Sequence, residues 1–339
     1  MTTHSGIGRS WPWLILETVA ILALAITALL ARSTIARSLA AAINADGYWV
    51  AATFAFELIS IMTFARTQRV ILRSIGGYIS IPSMAATAMI GNAISFTLPL
   101  IGPGAGTAFT FRRFVRFGSD PAAAIWALGA AWLLSSIVWS LLLIAGAVIS
   151  ENVVASLAGA VISTATVVAS IIVLVALRRF PRLRTLANFI SSRTSRQIAH
   201  IRGRLDQGVP YADTDPLGTL MSFRMSRSRW AEAGALALIN WVSGAACFVA
   251  AILAIRAAVP YREVLLIYGA GATVSSFNVT PGGLGVVEGT LVAGLVAAGL
   301  SSKSALGSVL IFRTATFWIP MSLGWCLFGL VDRRASDRP

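Results

Sequence analysis

Residues 278–288 read Asn278-Val279-Thr280-Pro281-Gly282-Gly283-Leu284-Gly285-Val286-Val287-Glu288, and a weaker copy of this stretch stands 181 positions earlier in the chain. With that offset Ser95-Phe96 falls on Ser276-Phe277, Gly102 on Gly283, Gly104 on Gly285, Gly118 on Gly299 and Ala124 on Ala305. The order of features repeats as well: an apolar run, a Pro/Gly break, a short apolar helix closed by a glycine, then another apolar run. Pro/Gly-interrupted apolar segments at matching places in two halves mark a transporter-type site near the bilayer midplane.

Composition sets the class. Apolar residues make up 57% of 339 and charged residues 12%, and mean hydropathy is +0.79. This is the balance of a polytopic helical membrane protein. The apolar runs are far too long for barrel strands, which need only about ten alternating residues. They fall near Trp11–Leu30, Gly47–Phe64, Tyr78–Leu98, Pro121–Ile149, Val154–Leu177, Trp230–Ile255, Val264–Val279 and Lys303–Val331. The expected fold is therefore all-α, with about eight full spans of roughly 20 residues and two short helices opened by Pro/Gly loops, at 99–118 and 281–300. The two repeat cores, 46–148 and 227–329, lie in a first membrane half (1–177) and a second (230–339), joined by a basic loop at 178–229.

Charge orients the chain. Net charge is +14, and Lys303 is the only lysine; the bias to Arg and Ala fits a GC-rich bacterial genome. Nucleic acid is not the implied partner, because the arginines cluster on loops, where they face anionic lipid. Eleven arginines between Arg178 and Arg229 oppose three Asp, whereas the turn Ser150-Glu151-Asn152 has no cation. The loop is thus expected in the cytoplasm and the turn outside, with the Arg66/Arg69/Arg73 turn and both termini also cytoplasmic. These assignments agree only if both broken segments cross in effect, giving ten passes, five per half, and an inverted second half; if they merely dipped back, the tail and the Arg66 turn would both lie outside. Arg32 and Arg37 then lie outside, against the rule. The middle of the loop reads either as a solvated basic linker or as an amphipathic helix on the inner leaflet.

Few side chains carry chemistry. His4 and His200 lie on a tail and a loop, and Cys247 and Cys326 inside apolar runs, so no metal site, disulfide framework or His-assisted nucleophile is expected. No cofactor or nucleotide motif appears. Glu288 and Arg313 stand out because an ionisable group at membrane depth is costly without a partner or a wet surface. Arg313 lies ten residues into the last run, roughly 15 Å deep, and either pairs with Glu288 or holds a lipid phosphate through its planar guanidinium. Gly282, Gly283 and Gly285 admit left-handed backbone; Pro281 interrupts the helix before them; and free amides at a helix start attract anions. In the first half the matching candidates are Gly102, Gly104 and the basic pair Arg112 and Arg113, read either as lipid-phosphate ligands or as interfacial snorkelling residues. Asn278 lies at the second break, as a headgroup contact or a cap for freed backbone. Glu57, mid-span, is either a proton-relay group or the partner of an arginine.

The stretch from Thr280 to Glu288, with Gly299, Ala305, Arg313, Pro320 and Gly324, resembles the lysylphosphatidylglycerol synthase transmembrane region, a flippase-like family. The resemblance covers most of the chain and is most specific over 276–324. The first-half loop, Pro99 to Arg112, matches more loosely, and Thr107 stands where an acid would mirror Glu288. The resemblance implies a bacterial inner-membrane domain that translocates or accommodates a lipid, whether anionic, aminoacylated or a lipid-linked intermediate, without an aminoacyl-transferase. Membrane lipids are then the partners, and a homodimer is left open. Two rivals stand beside this reading: a scaffold for a lipid- or glycan-synthesis enzyme, and a membrane glycosyl- or acyltransferase using Glu57 and Glu288.

The charge asymmetry is directly testable. With Cys247 and Cys326 replaced, Asn152→Cys is expected to react with an impermeant maleimide added to intact cells, and Ser192→Cys only after lysis. Labelling of Ser192→Cys from outside reverses the topology.

Overall fold

A computed structural model of the protein describes residues 45–150 and 225–336. The apolar runs Trp11–Leu30 and Val154–Leu177, and the loop up to residue 224, lie outside the described residues. Among those described there is no strand. The helices are α1 (Gly47–Arg73), α2 (Ile81–Thr97), α3 (Gly102–Arg116), α4 (Pro121–Ile149), α5 (Arg227–Ala254), α6 (Val264–Phe277), α7 (Val286–Ala297), α8 (Ser302–Arg313) and α9 (Ile319–Ser336). A single 3-10 turn, Pro281–Gly283, precedes α7, and a π turn, Thr314–Trp318, joins α8 to α9.

Four segments are long and apolar enough to cross a membrane: Gly47–Arg73, Ala123–Ile149, Arg227–Ala254 and Ser302–Leu330. Helix α1 outruns its apolar window, continuing past Phe64 through Arg66 and Arg69 to Arg73. Long arginine side chains tolerate this at a helix end because their heads reach polar surroundings. The 181-residue displacement carries over to the helix boundaries. It moves α1 onto 228–254, against Arg227–Ala254; α2 onto 262–278, against Val264–Phe277; and α3 onto 283–297, against Val286–Ala297. It moves α4 onto 302–330, the fourth long apolar segment.

The short helices come in antiparallel pairs. In the first, Gly91 of α2 abuts Gly106 and Thr110 of α3, while Ser95 abuts Gly102 and Gly106. In the second, Gly271 of α6 lies under Leu291 of α7, and Gly294 of α7 under Ile267 of α6. Contacts that climb one helix while descending the other define a hairpin, and glycine at the crossing lets the backbones close. At 1.5 Å per residue α6 is about 21 Å long and α7 about 18 Å, short of the ~30 Å hydrocarbon core. This refines the span read at Val264–Val279: the helix stops at Phe277, and the chain turns back. Each hairpin returns the chain to its starting side, the same parity as two full passes.

The described residues fall into two compact units, and neither follows the sequence halves. One contains residues 45–62, 85–110 and 242–336; the other contains 63–84, 111–150 and 225–241. In the first, Phe248 and Ile252 of α5, Leu291 and Leu295 of α7, and Val309 of α8 form a fully buried core. In the second, α4 and α5 are joined by tryptophans. Trp126 meets Trp230 at 6.1 Å and Trp139 meets Trp241 at 6.3 Å, and Trp241 Nε1 donates to Ser135 Oγ at 3.0 Å. Both pairs advance in the same sense, so α4 and the start of α5 run parallel. Arg227 and Arg229 therefore share an end with Arg112 and Arg116, just before α4. The turn after α1, with Arg69 and Arg73, joins them because Gly77 packs on Ser119. One end of this unit is thus strongly basic.

The hairpin contact is open to test. Gly106→Val drives a branched side chain into Ser95 and the Gly91 carbonyl and is expected to destabilise the detergent-solubilised protein by about 1–3 kcal/mol in thermal unfolding. Gly104→Ala, whose side chain would meet open space, is expected to leave the midpoint within a degree or two.

Candidate functional site

The second break begins at Asn278, which ends α6 in the left-handed region with φ 45° and ψ 43°. Asparagine is among the few residues with a side chain that tolerate this conformation. The residue ties the two breaks together. Its carbonyl accepts from the Leu100 amide at 2.8 Å, and its side-chain Nδ2 donates to the carbonyls of Ser95 at 2.6 Å and Leu98 at 2.9 Å. Ser95 is in the last turn of α2, where a carbonyl lacks a helical partner and must be satisfied away from water; the Leu98 carbonyl, just beyond α2, also accepts from the Gly102 amide at 3.0 Å. Asn278 is only 3% exposed, so its amide serves as a cap for α2. Gly102 is needed on the other side of this junction, where a Cβ would strike the Ser95 carbonyl and Asn278 Nδ2.

From Thr280, whose hydroxyl donates to the Leu284 carbonyl at 2.8 Å, the chain passes through the Pro281–Gly283 turn. Gly282, Gly283 and Gly285 have φ of 60°, 70° and 82°. Gly282 could carry no side chain even with another backbone, since its Cβ would lie inside the Phe317 ring. Gly283 packs on Val287, and Gly285 starts α7. Glu288, in the first turn of α7, folds back on that start: its Oε2 accepts from the Gly285 amide at 2.7 Å. This is the acidic half of a capping box, and the helix dipole favours it.

Glu288 Oε1 accepts from Arg313 Nε at 2.7 Å. Arg313 Nη2 donates to the Gly282 carbonyl at 2.6 Å, and its guanidinium carbon stands 4.4 Å from the centre of the Phe317 ring. Arg313 is 5% exposed. One side chain at the end of α8 thus clamps the 3-10 turn, the start of α7 and an aromatic ring within the π turn. A π turn adds a residue to the helical repeat and is frequent at functional positions. Phe317 also meets Phe96 of α2 at 5.4 Å, and Trp325 Nε1 donates to Thr97 Oγ1 at 3.0 Å. Phe317 and Trp325 were not singled out in the sequence, where they read as ordinary apolar residues of a span, and Phe96 entered only as a repeat match.

Two sets of donors remain unused. Arg313 Nη1 makes no hydrogen bond among the described residues. The amides of Val286 and Val287, at the start of α7, have no acceptor among the described residues. Both sets lie beside Glu288, which touches the guanidinium and the helix start alike.

The other sequence candidates are placed differently. Gly104 is exposed with open space around it. Arg112 is exposed at the basic end of the second unit, and Arg113 there stacks on Phe117 at 4.7 Å with its Nε buried and unpartnered. Glu57 is half-buried on α1, beside Cys247 and Tyr268, and pairs with no arginine among the described residues. No group of three or more His, Cys, Asp or Glu there could hold a metal.

A family model described as Lysylphosphatidylglycerol synthase TM region matches residues 15–324, so the chain belongs to that family. No curated protein matches it. Membership and the four long apolar segments together make this a membrane protein of a lipid-metabolism family.

The clamp predicts a non-additive response. Removing one partner of a buried pair strands the other, so Glu288→Ala or Arg313→Ala alone is expected to cost roughly 3–5 kcal/mol. The double variant should recover a large part of that. A double-mutant cycle on thermal unfolding in mild detergent checks it; additive losses would mean the pair is energetically uncoupled.

Proposed function

We propose that this member of the family is a lipid translocator of the bacterial inner membrane, with the Arg313–Glu288 junction as its headgroup site. The observation that carries the reading is the state of Arg313: an arginine on a membrane-crossing segment, held from three sides, with Nη1 unpaired among the described residues. A purely structural pair would be expected to satisfy every donor, because an unsatisfied one is expensive in hydrocarbon. An unpaired guanidinium nitrogen beside free helix-start amides is an arrangement that receives a phosphate oxygen.

The hairpins suit the task. Non-helical backbone at membrane depth is tolerated where it packs on protein or lines a wet path, and the Asn278 junction gives the breaks at 99–101 and 278–285 that protection. The 181-residue correspondence of the helix boundaries supports a two-fold internal repeat, and an odd number of passes per half would invert the second copy. In this scheme the headgroup passes along the junction while the acyl chains remain in the bilayer. The chain's own role is to bind, orient and desolvate the headgroup.

Reconstituted vesicles carrying a fluorescent anionic phospholipid test the reading. Arg313→Ala is expected to abolish the protein-dependent movement, and the Arg313→Ala/Glu288→Ala double variant should stay inactive even where its thermal stability recovers. Wild-type movement by a folded Arg313→Ala protein would remove Arg313 from the mechanism and restore the scaffold alternative.

A further inference from the structure

A carboxylic acid that the Arg313–Glu288 junction does not use lies on α1. Glu57 stands about 15 Å along that helix, on one of the segments long and apolar enough to cross a membrane. The spacing fixes its face of the helix. Thr53, Glu57 and Ser60, at i, i+4 and i+7, form a polar stripe; Thr53 is buried and the other two are half-buried. Ala51, Ala55, Leu58, Ile59 and Met62 occupy the opposite face and are exposed. The acid is therefore on the side of α1 turned to protein. Two titratable groups meet it there, Cys247 of α5 and Tyr268 of α6. Cys247 is fully buried, and the Tyr268 hydroxyl fills the space over Gly244, one turn earlier on α5. Tyr268 also meets Phe312 of α8 at 6.3 Å. The neighbouring cation of α8, Arg313, is engaged by Glu288 and the Gly282 carbonyl. Among the described residues no arginine or lysine pairs with Glu57.

We infer that Glu57 is a reversible proton-binding site where α1, α5 and α6 meet, separate from the Arg313–Glu288 junction. A carboxylate turned to protein at membrane depth, with no cation opposite, is costly. A neutral carboxyl, which donates as well as accepts, is tolerated there. The proton is thus the charge partner that the surrounding side chains do not supply. A divalent metal ion does not fit, because it takes about six oxygen ligands, and one carboxyl, one phenol and one thiol are what these helices bring. Releasing the proton sets a charge between packed helices, so release belongs to an arrangement of α1 that admits water. Proton occupancy and the packing of α1 are then linked, and each biases the other. This gives the protein a response to pH or to a proton gradient, whatever the junction binds.

Infrared difference spectroscopy on the whole chain in mild detergent, titrated from acidic to alkaline buffer, reads the site directly. A protonated-carboxyl carbonyl band should bleach reversibly as pH rises and be missing from Glu57→Gln. Its titration should be unchanged when sodium replaces potassium. Dicyclohexylcarbodiimide, which adds to a protonated carboxyl in apolar surroundings, should label Glu57 in peptide mapping of the wild-type chain, remove the same band and leave the arginine-paired Glu288 unlabelled. If Glu57→Gln fails to fold, this wild-type reaction makes the assignment. An unlabelled Glu57 with the band intact overturns the inference, and so does a Glu57 band that ignores pH or is displaced by sodium. None of these readouts involves lipid movement, so the translocator reading stands or falls separately.

Discussion

Arg313 is the constraint around which the described structure is organised. A guanidinium on a membrane-crossing helix is tolerated only with partners, and here it has three kinds: a carboxylate, a backbone carbonyl and a ring face. Each fixes a different element. Glu288 fixes the start of α7, the Gly282 carbonyl fixes the 3-10 turn, and Phe317 fixes the π turn before α9. The glycines follow from this. Gly282 must be bare because Phe317 occupies the place of its side chain, and Phe317 is there because it stacks on the arginine.

A second layer joins the two breaks. Asn278 closes α6 with a left-handed residue and donates its side-chain amide to the carbonyls of Ser95, in the last turn of α2, and Leu98, just after it. Each hairpin ends in backbone groups that hydrocarbon cannot satisfy, and each supplies what the other lacks. The Leu100 amide bonded to the Asn278 carbonyl completes the exchange. The hairpin breaks therefore cannot be treated as independent loops.

The repeats are unequal in charge. The second carries the ion pair; the first has Thr107 and Trp132 at the corresponding positions. The first repeat supplies instead the junction's packing, through Ser95, Gly102 and Phe96, while its arginines stand at the basic end of the other unit. The junction is thus one-sided, with its charged pair in one repeat and part of its packing in the other.

Much of this was determined by the sequence alone. Hydropathy and run length fixed an all-helical membrane protein, because only helices satisfy their own backbone in lipid. The 181-residue offset marked the helix boundaries, because Pro and Gly end helices locally. Glu288 and Arg313 announced themselves through the cost of burying charge. Tertiary structure decided what those rules leave open. Apolar length could not tell a span at Val264–Val279 from one arm of a hairpin, since that depends on Gly271 meeting Leu291. Nor could any local rule assign Asn278 to the carbonyls of Ser95 and Leu98, or Phe317 to the face of Arg313. Those contacts join elements distant along the chain or turn on a one-residue change in helical repeat, and only packing sets them.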